Sequence, residues 1–168
     1  MSNRAIRKSQ TEELKRHAPG LKFIFEACVD VGAPLEIGIL PSGSERRVIP
    51  ILGGTFEGPS LRGRVLPGGA DWQIVHTNGS AELDARYTLQ TDTGALISVF
   101  NRGVRSGPPD VLAKLRAGVR VPAGSYYFRA VPKFETGDPI LQWLCSSLFV
   151  CSGERLATQV ILRFWQVC

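Results

Sequence analysis

Asp71, Trp72 and Gln73 bring a carboxylate, an indole and an amide into three consecutive positions. They come directly after Leu66-Pro67-Gly68-Gly69-Ala70 and directly before the apolar pair Ile74-Val75. A proline and two glycines turn the backbone, and a turn at the mouth of a strand is where a β protein aims polar groups at a ligand. The same residues also suit a plain hairpin connection with one solvated Asp. Further along, Arg129 follows Tyr126, Tyr127 and Phe128 and stands shortly before Pro132 and Glu135. An arginine fork binds a carboxylate, enolate or phenolate through two parallel donors. Asp71 or Glu135, with a pKa moved by burial and by neighbouring arginines, would then act as general acid or base. The candidate catalytic residues are therefore Asp71, Arg129 and Glu135. Trp72, Asp84, Arg86, Asn101, Tyr127, Phe128 and Trp143 are the candidate substrate-binding residues.

Other chemistries have no matching pattern. No Walker-type phosphate loop occurs, and no dinucleotide fingerprint leads into a helix. His76 has no obvious partner, and no serine stands on a strand-to-helix elbow. The four cysteines, Cys28, Cys145, Cys151 and Cys168, form no CxxC pair, and neither histidine, His17 or His76, sits at metal-ligand spacing from them. The expectation is chemistry with no cofactor and no metal. The net charge of +5 and pI near 9.3 come from scattered basic residues, apart from Arg4, Arg7, Lys8, Lys15 and Arg16 near the N-terminus. Without a dense basic stripe interleaved with aromatics, nucleic acid is not an expected partner. No apolar run reaches the roughly 18 residues of a membrane span. Met1 to Arg16 is polar and lacks the apolar middle of a secretory signal, so a cytoplasmic protein with reduced thiols is expected.

The positioning elements follow from periodicity. With 43% hydrophobic residues, 18 glycines and 11 prolines, the chain has a real core and many turns. Residues 1–20 read as a polar N-terminal extension and 21–168 as one domain. Leu21, Phe23, Phe25, Ala27 and Val29 alternate with polar neighbours, which marks a strand with one buried face. Similar segments recur to the C-terminus, separated by Pro41-Ser-Gly-Ser44, Gly58-Pro59, Asn78-Gly79 and Asp92-Thr-Gly94. Two short helices are expected, at 110–117 and 139–144. About nine or ten short strands at this spacing point to a mainly β, single-domain antiparallel β-barrel with a calyx-like interior, because closure removes exposed edges. Apolar residues on both faces of 95–102 call for cover outside the barrel, which a homodimer would supply. On 82–90, Asp84, Arg86 and Thr88 share a face opposite Leu83, Tyr87 and Leu89; on 125–131, Tyr127 and Arg129 oppose Tyr126 and Phe128. These charged faces look out to water or form a paired polar cluster inside.

Several blocks together resemble one family: Gly53-Gly-Thr-Phe-Glu-Gly-Pro59, Leu66-Pro-Gly-Gly-Ala-Asp-Trp-Gln73, Leu83-Asp-Ala-Arg-Tyr87, Gly94-Ala-Leu-Ile97, Asn101-Arg-Gly103, Tyr127-Phe-Arg129 and Phe134-Glu-Thr136. In order and spacing they resemble the family called domain of unknown function 3237, or uncharacterised protein family 0311, from about Lys22 to the C-terminus. The resemblance implies a compact antiparallel barrel similar to allene oxide cyclase and related calyx-like barrels, without a defined reaction. Against the family pattern, Thr93 stands where a second Asp is usual, Cys145 where Asn follows Trp-Leu, and Cys151 where Gly is usual. The reading that unites these features is a small-molecule pocket with apolar walls from Trp72, Phe128 and Trp143 and anion contacts from Arg86 and Arg129. It would serve a cofactor-independent isomerase, cyclase or lyase acting on a small organic acid, aromatic or polyketide-like compound. The alternatives are a non-catalytic small-ligand-binding barrel and an interaction module with a filled barrel.

Overall fold

The computed structural model describes residues 18–168, so most of the N-terminal extension lies outside the described residues. Ten strands follow one another: β1 (Leu21–Val31), β2 (Leu35–Ile39), β3 (Glu45–Glu57), β4 (Arg62–Val65), β5 (Ala70–Val75), β6 (Ala81–Thr91), β7 (Leu96–Ser106), β8 (Tyr127–Glu135), β9 (Phe149–Arg155) and β10 (Gln159–Val167). The long β7–β8 connection carries helix α1 (Pro109–Arg116), and a 3₁₀ turn at Pro139–Leu144 precedes β9. Both match the expected helices. α1 starts on a proline, whose missing N–H costs nothing at a helix start. The 3₁₀ turn is capped by Asp138, whose carboxylate accepts from the Ile140 and Leu141 N–H groups.

All pairings are antiparallel, and the sheet closes where β1 pairs with both β10 and β3. Eight strand positions make the ring. β2 hangs on β3 outside it, and β4 and β5 share one position between β3 and β6. The expected barrel is therefore the observed one. The Pro67-Gly68-Gly69 segment, expected to be a turn at a strand mouth, instead interrupts one wall strand without reversing it. Ile51 and Gly69 bridge the break by backbone hydrogen bonds. A Cβ on Gly69 would meet the Arg86 carbonyl oxygen at 2.5 Å, so the break lies flat on β6 only with glycine there.

Inward-facing residues divide the interior into two halves. One half is packed with phenylalanine. Phe25 stacks on Phe164 at 4.5 Å between centroids, Phe134 meets Phe149 edge-on at 4.9 Å, and Phe56 leans on Phe25 at 5.3 Å. Each such pair adds about 0.5–1.5 kcal/mol beyond the area it buries. The other half is polar and open, and α1 lies beside its end. No helix among the described residues is long and apolar enough to cross a membrane.

This division makes the aromatic half the main source of stability. Phe134 is 1% exposed and touches three other rings or their neighbours. Phe134→Ala is expected to lower unfolding free energy by about 3–5 kcal/mol. Leu148→Ala, at an exposed position, should change it by less than about 0.5 kcal/mol. Urea unfolding of both variants checks this; comparable losses would contradict the assignment of the core.

Candidate active site within the barrel

The open half is built by strand register. Asp71 on β5 lies opposite Ala85 on β6, and Ala85 lies opposite Asn101 on β7. The small alanine side chain lets the carboxylate and the amide face the same space. One tier nearer α1, Arg47 pairs across to Gln73, and Leu83 lies opposite Gly103, which offers no side chain. Beyond that, Arg105 lies opposite Ala81. Tyr87 sits one tier deeper than Asp71, and Arg155 enters from the end of β9. On the β8 side, Phe128 packs flat over Gly153, where a Cβ would come within 2.4 Å of the ring. The result is a cavity of about 90 Å³. Val29, Ile49, Leu83, Phe128 and Leu162 wall it, and Leu115 and Arg116 of α1 close its outer end.

Its polar groups form a partial network. Arg47 Nε donates to Gln73 Oε1 at 3.0 Å, and Gln73 Nε2 donates to Asp71 Oδ2 at 2.6 Å. Asp71 Oδ1 accepts from the Asp84 N–H at 3.0 Å. Burial raises the Asp71 carboxyl above its ordinary range; its two hydrogen bonds and the charges of Arg105 and Arg47 oppose that rise. Burial likewise pushes Arg47 and Arg155 down, and brings Arg105 down to about 10 with Arg47 adding to the effect. Burial sends the Tyr87 phenol well up, with the neighbouring Cys151 and Asp71 adding and Asn101 pulling the other way. Three buried polar atoms, Tyr87 Oη, Asn101 Oδ1 and Arg105 Nε, make no hydrogen bond among the described residues. Such atoms are few in native proteins, and three in one site need an explanation.

Of the residues expected from sequence, the cavity brings together Asp71, Asn101 and Phe128. The others are corrected by strand parity. Asp84, Arg86, Tyr127, Arg129 and Glu135 point outward, because their neighbours Leu83, Ala85, Tyr87, Phe128, Ala130 and Phe134 take the inside. Arg129 lies against the Tyr127 ring and donates to the Phe128 carbonyl. Glu135 pairs with Lys133 at 2.7 Å rather than with Arg129. Arg86 covers Phe100, and Asp84 pairs with Arg102 at 3.3 Å on the surface. Trp72 is outward and 40% exposed. With Asp84, Tyr127 and Arg129 it borders an outer groove, and none of these four lines the cavity. Trp143 packs on Phe149 at the filled end. His76, expected to have no partner, has two: Ser44 Oγ at 3.3 Å and Glu82 at 2.9 Å, both on the barrel rim.

Sequence reading missed Arg47, Gln73, Tyr87, Arg105 and Arg155. The signal was parity. Gln73 shares a face with Asp71, and Arg105 continues the apolar face Ile97–Val99–Asn101. A charge that extends an inward face is the one to suspect, not a charge on the opposite face.

Residues 19–167 match the family described as "Protein of unknown function (DUF3237)". A UPF0311 protein of Rhodopseudomonas palustris is 44% identical over 146 residues, covering 87% of this chain and 95% of its own. One from Clostridium acetobutylicum is 38% identical over 144 residues, covering 86% and 91%. Among solved structures, a conserved protein of unknown function from R. palustris superposes with a TM-score of 0.84 at 41% identity, over 90% of this chain and 98% of that one. A protein described as an enzyme from Penicillium herquei shares the fold at a TM-score of 0.67 and 21% identity, over 90% and 96%.

The raised Asp71 carboxyl has a stability consequence. The folded protein holds a proton there that the unfolded chain releases once pH passes the ordinary value of 3.8. The stability this contributes is full below that value and is lost as pH rises through the folded one. As pH rises above 3.8 and through the folded value, wild type should therefore lose stability relative to Asp71→Asn, which has no proton to release there. Chemical denaturation of both proteins across that range measures the difference; a pH-independent difference would contradict it.

Proposed function

The chain belongs to the DUF3237 family of proteins of unknown function, and from the chemistry of its barrel we propose that it is an acid–base enzyme working without a cofactor. The reading is an isomerase, cyclase or lyase acting on a small organic acid, aromatic or polyketide-like compound held in the cavity. One observation carries it: a carboxylate and three unpartnered buried polar atoms face the same enclosed space. An ionisable group perturbed by burial inside a concave site is a probabilistic marker of function.

In this mechanism Asp71 takes a proton from a carbon or hydroxyl of the substrate and returns it at another position. Burial, which raises its pKa, makes it a stronger base at neutral pH than a solvated carboxylate. The Gln73 amide and the Asp84 N–H fix the carboxylate on the β5 wall. Charge that develops on the substrate oxygen is received by the unpartnered Arg105 guanidinium or by the Tyr87 hydroxyl, donors already in place before the reaction. The apolar walls and α1 keep bulk water from competing for the proton. The P. herquei neighbour supports only the compatibility of this architecture with an enzyme.

The test uses small enolisable keto acids and phenolic acids in heavy water, with proton NMR following loss of C–H signal. Wild type should promote exchange at one carbon of at least one compound. Asp71→Asn should slow that exchange by about 10²–10⁴-fold while staying folded and keeping ligand binding. Binding with no exchange by wild type would identify a carrier barrel instead. Equal exchange by both proteins would remove Asp71 from the chemistry.

A further inference from the structure

The charges inside the barrel do not balance. Arg47, Arg105 and Arg155 face the cavity, and Asp71 is the carboxylate that lines it with them. Among the described residues, none of the three guanidiniums has a carboxylate within ion-pair distance. Arg47 spends one donor on Gln73, and Arg155 spends one on the Gln159 carbonyl at 3.3 Å. Arg105, only 8% exposed, has an Nε that makes no hydrogen bond among the described residues. Arg116, on the rim, is already held by both oxygens of Glu45, at 3.1 and 2.7 Å. A cation buried without a partner is strongly disfavoured. Arg47 also feels Glu36 and Glu45, but for Arg105 and Arg155 the neighbouring carboxylate is Asp71 alone, and two such cations against one carboxylate ask for a further anion.

The polar groups are also arranged in order. The arginines occupy the end beside α1, where a surface groove of about 360 Å³ shares Arg47, Arg105 and Arg116 with the cavity. Tyr87 and Asn101 occupy the inner end, with Oη and Oδ1 unpartnered. Between them the walls are apolar. Asn101 and Arg105 stand four residues apart on β7, roughly 13 Å of strand rise, and the reach of the guanidinium shortens that span.

We infer that the cavity takes a short oxo- or hydroxy-carboxylate lengthwise, its carboxylate on the Arg105 and Arg155 guanidiniums and its second oxygen between Tyr87 and Asn101. This rests on reading the cavity as a ligand site and deepens the proposed function by fixing ligand class and direction. The carboxylate takes the donors that the protein leaves unused, and Arg gives it a planar two-point contact. A hydroxyl donates to Asn101 Oδ1, and a carbonyl accepts from Tyr87 Oη. Asp71, level with Asn101 in the register, then stands beside the carbon adjacent to that carbonyl, the position from which a carbonyl compound gives up a proton. The volume of about 90 Å³ is below the roughly 150 Å³ void that admits benzene, so chain and ring probes alike bind only as the α1 end of the cavity opens.

The experiment is calorimetric titration of the full chain with matched probes. They are 4-oxopentanoate, pentanoate without the second oxygen, and 5-hydroxypentan-2-one without the charge, with 4-hydroxybenzoate, benzoate and 4-hydroxybenzyl alcohol as a ring series. The oxo acid should bind most tightly. Losing the second oxygen should weaken binding about 10-fold, and losing the charge about 100-fold, the scale of neutral and charge-assisted hydrogen bonds. Arg105→Gln should abolish the preference for acid over alcohol, while its melting temperature without ligand stays level or rises because a buried cation is gone. Tyr87→Phe should reduce the preference for oxo over plain acid and leave the charge preference intact. If Arg105→Gln fails to fold, Arg155→Gln, at a less buried position, reads the same preference. Alcohols binding as well as acids, neither series of acids binding, or Arg105→Gln with an unchanged preference would each overturn the inference. The proposed catalysis is judged separately: acids that bind as expected but exchange no proton leave this inference standing and remove the enzyme reading.

Discussion

Ring closure is the constraint on which everything else here depends. Once β1 is paired to both β10 and β3, every wall strand has one face inside, and the interior of an eight-strand ring is only as wide as its side chains. A residue placed on that face must pack, pair or line a space. In the half filled by Phe25, Phe56, Phe134, Phe149 and Phe164, it packs. In the other half Ala85, Gly103, Ala130 and Gly153 withdraw volume, and the longer polar chains of Arg47, Gln73, Tyr87 and Asn101 extend into what remains. The cavity is thus written by where the small residues fall along the strands.

Holding cations in that half costs stability, and only part of the cost is offset locally. Arg47 is supported by Gln73, and Gln73 transmits the contact to Asp71, so a cation and an anion are linked through an amide rather than directly. A direct ion pair would have satisfied both and left neither for a ligand. The indirect link keeps the carboxylate basic and the guanidiniums open. Local rules are broken here while the aromatic half obeys them, and such a split between a well-satisfied core and an ill-satisfied site is the pattern of proteins that trade stability for function.

The fold was legible because its signals are local. Period-two alternation, Gly and Pro punctuation and the starts at Pro109 and Pro139 each act over a few residues. The site was legible only in part. Asp71, Asn101 and Phe128 were named and line the cavity, but aromatic neighbours drew attention to Arg129, Tyr127 and Trp72, which lie outside it. Aromatic company is no guide to burial on a barrel wall, since an outward Tyr can lie under an outward Arg in water. Parity does discriminate, but sequence gives it only up to a choice of faces. Closure makes that choice, through contacts as remote in sequence as Asn101 and Cys151. Arg47 and Arg155 join Asp71 only through the same closure, and no local pattern in the chain brings them together.

The departures from the family pattern divide along the same line. Cys145 stands where Asn is usual, which removes an amide donor and acceptor there. The structure puts Cys145 on the surface with its thiol near the Thr136 carbonyl, outside the cavity lining. Cys151, standing where Gly is usual, is 1% exposed and lies behind Asn101, with Sγ 4.0 Å from Nδ2. Burial pushes its thiol up to about 12, so it remains a neutral, small apolar group rather than a nucleophile. A thiol there occupies space that glycine would leave open and fixes the amide plane of Asn101. The amide nitrogen is directed to sulfur and the oxygen is left without a partner. Of the two cysteines, the buried one is therefore the one in contact with a residue that lines the cavity.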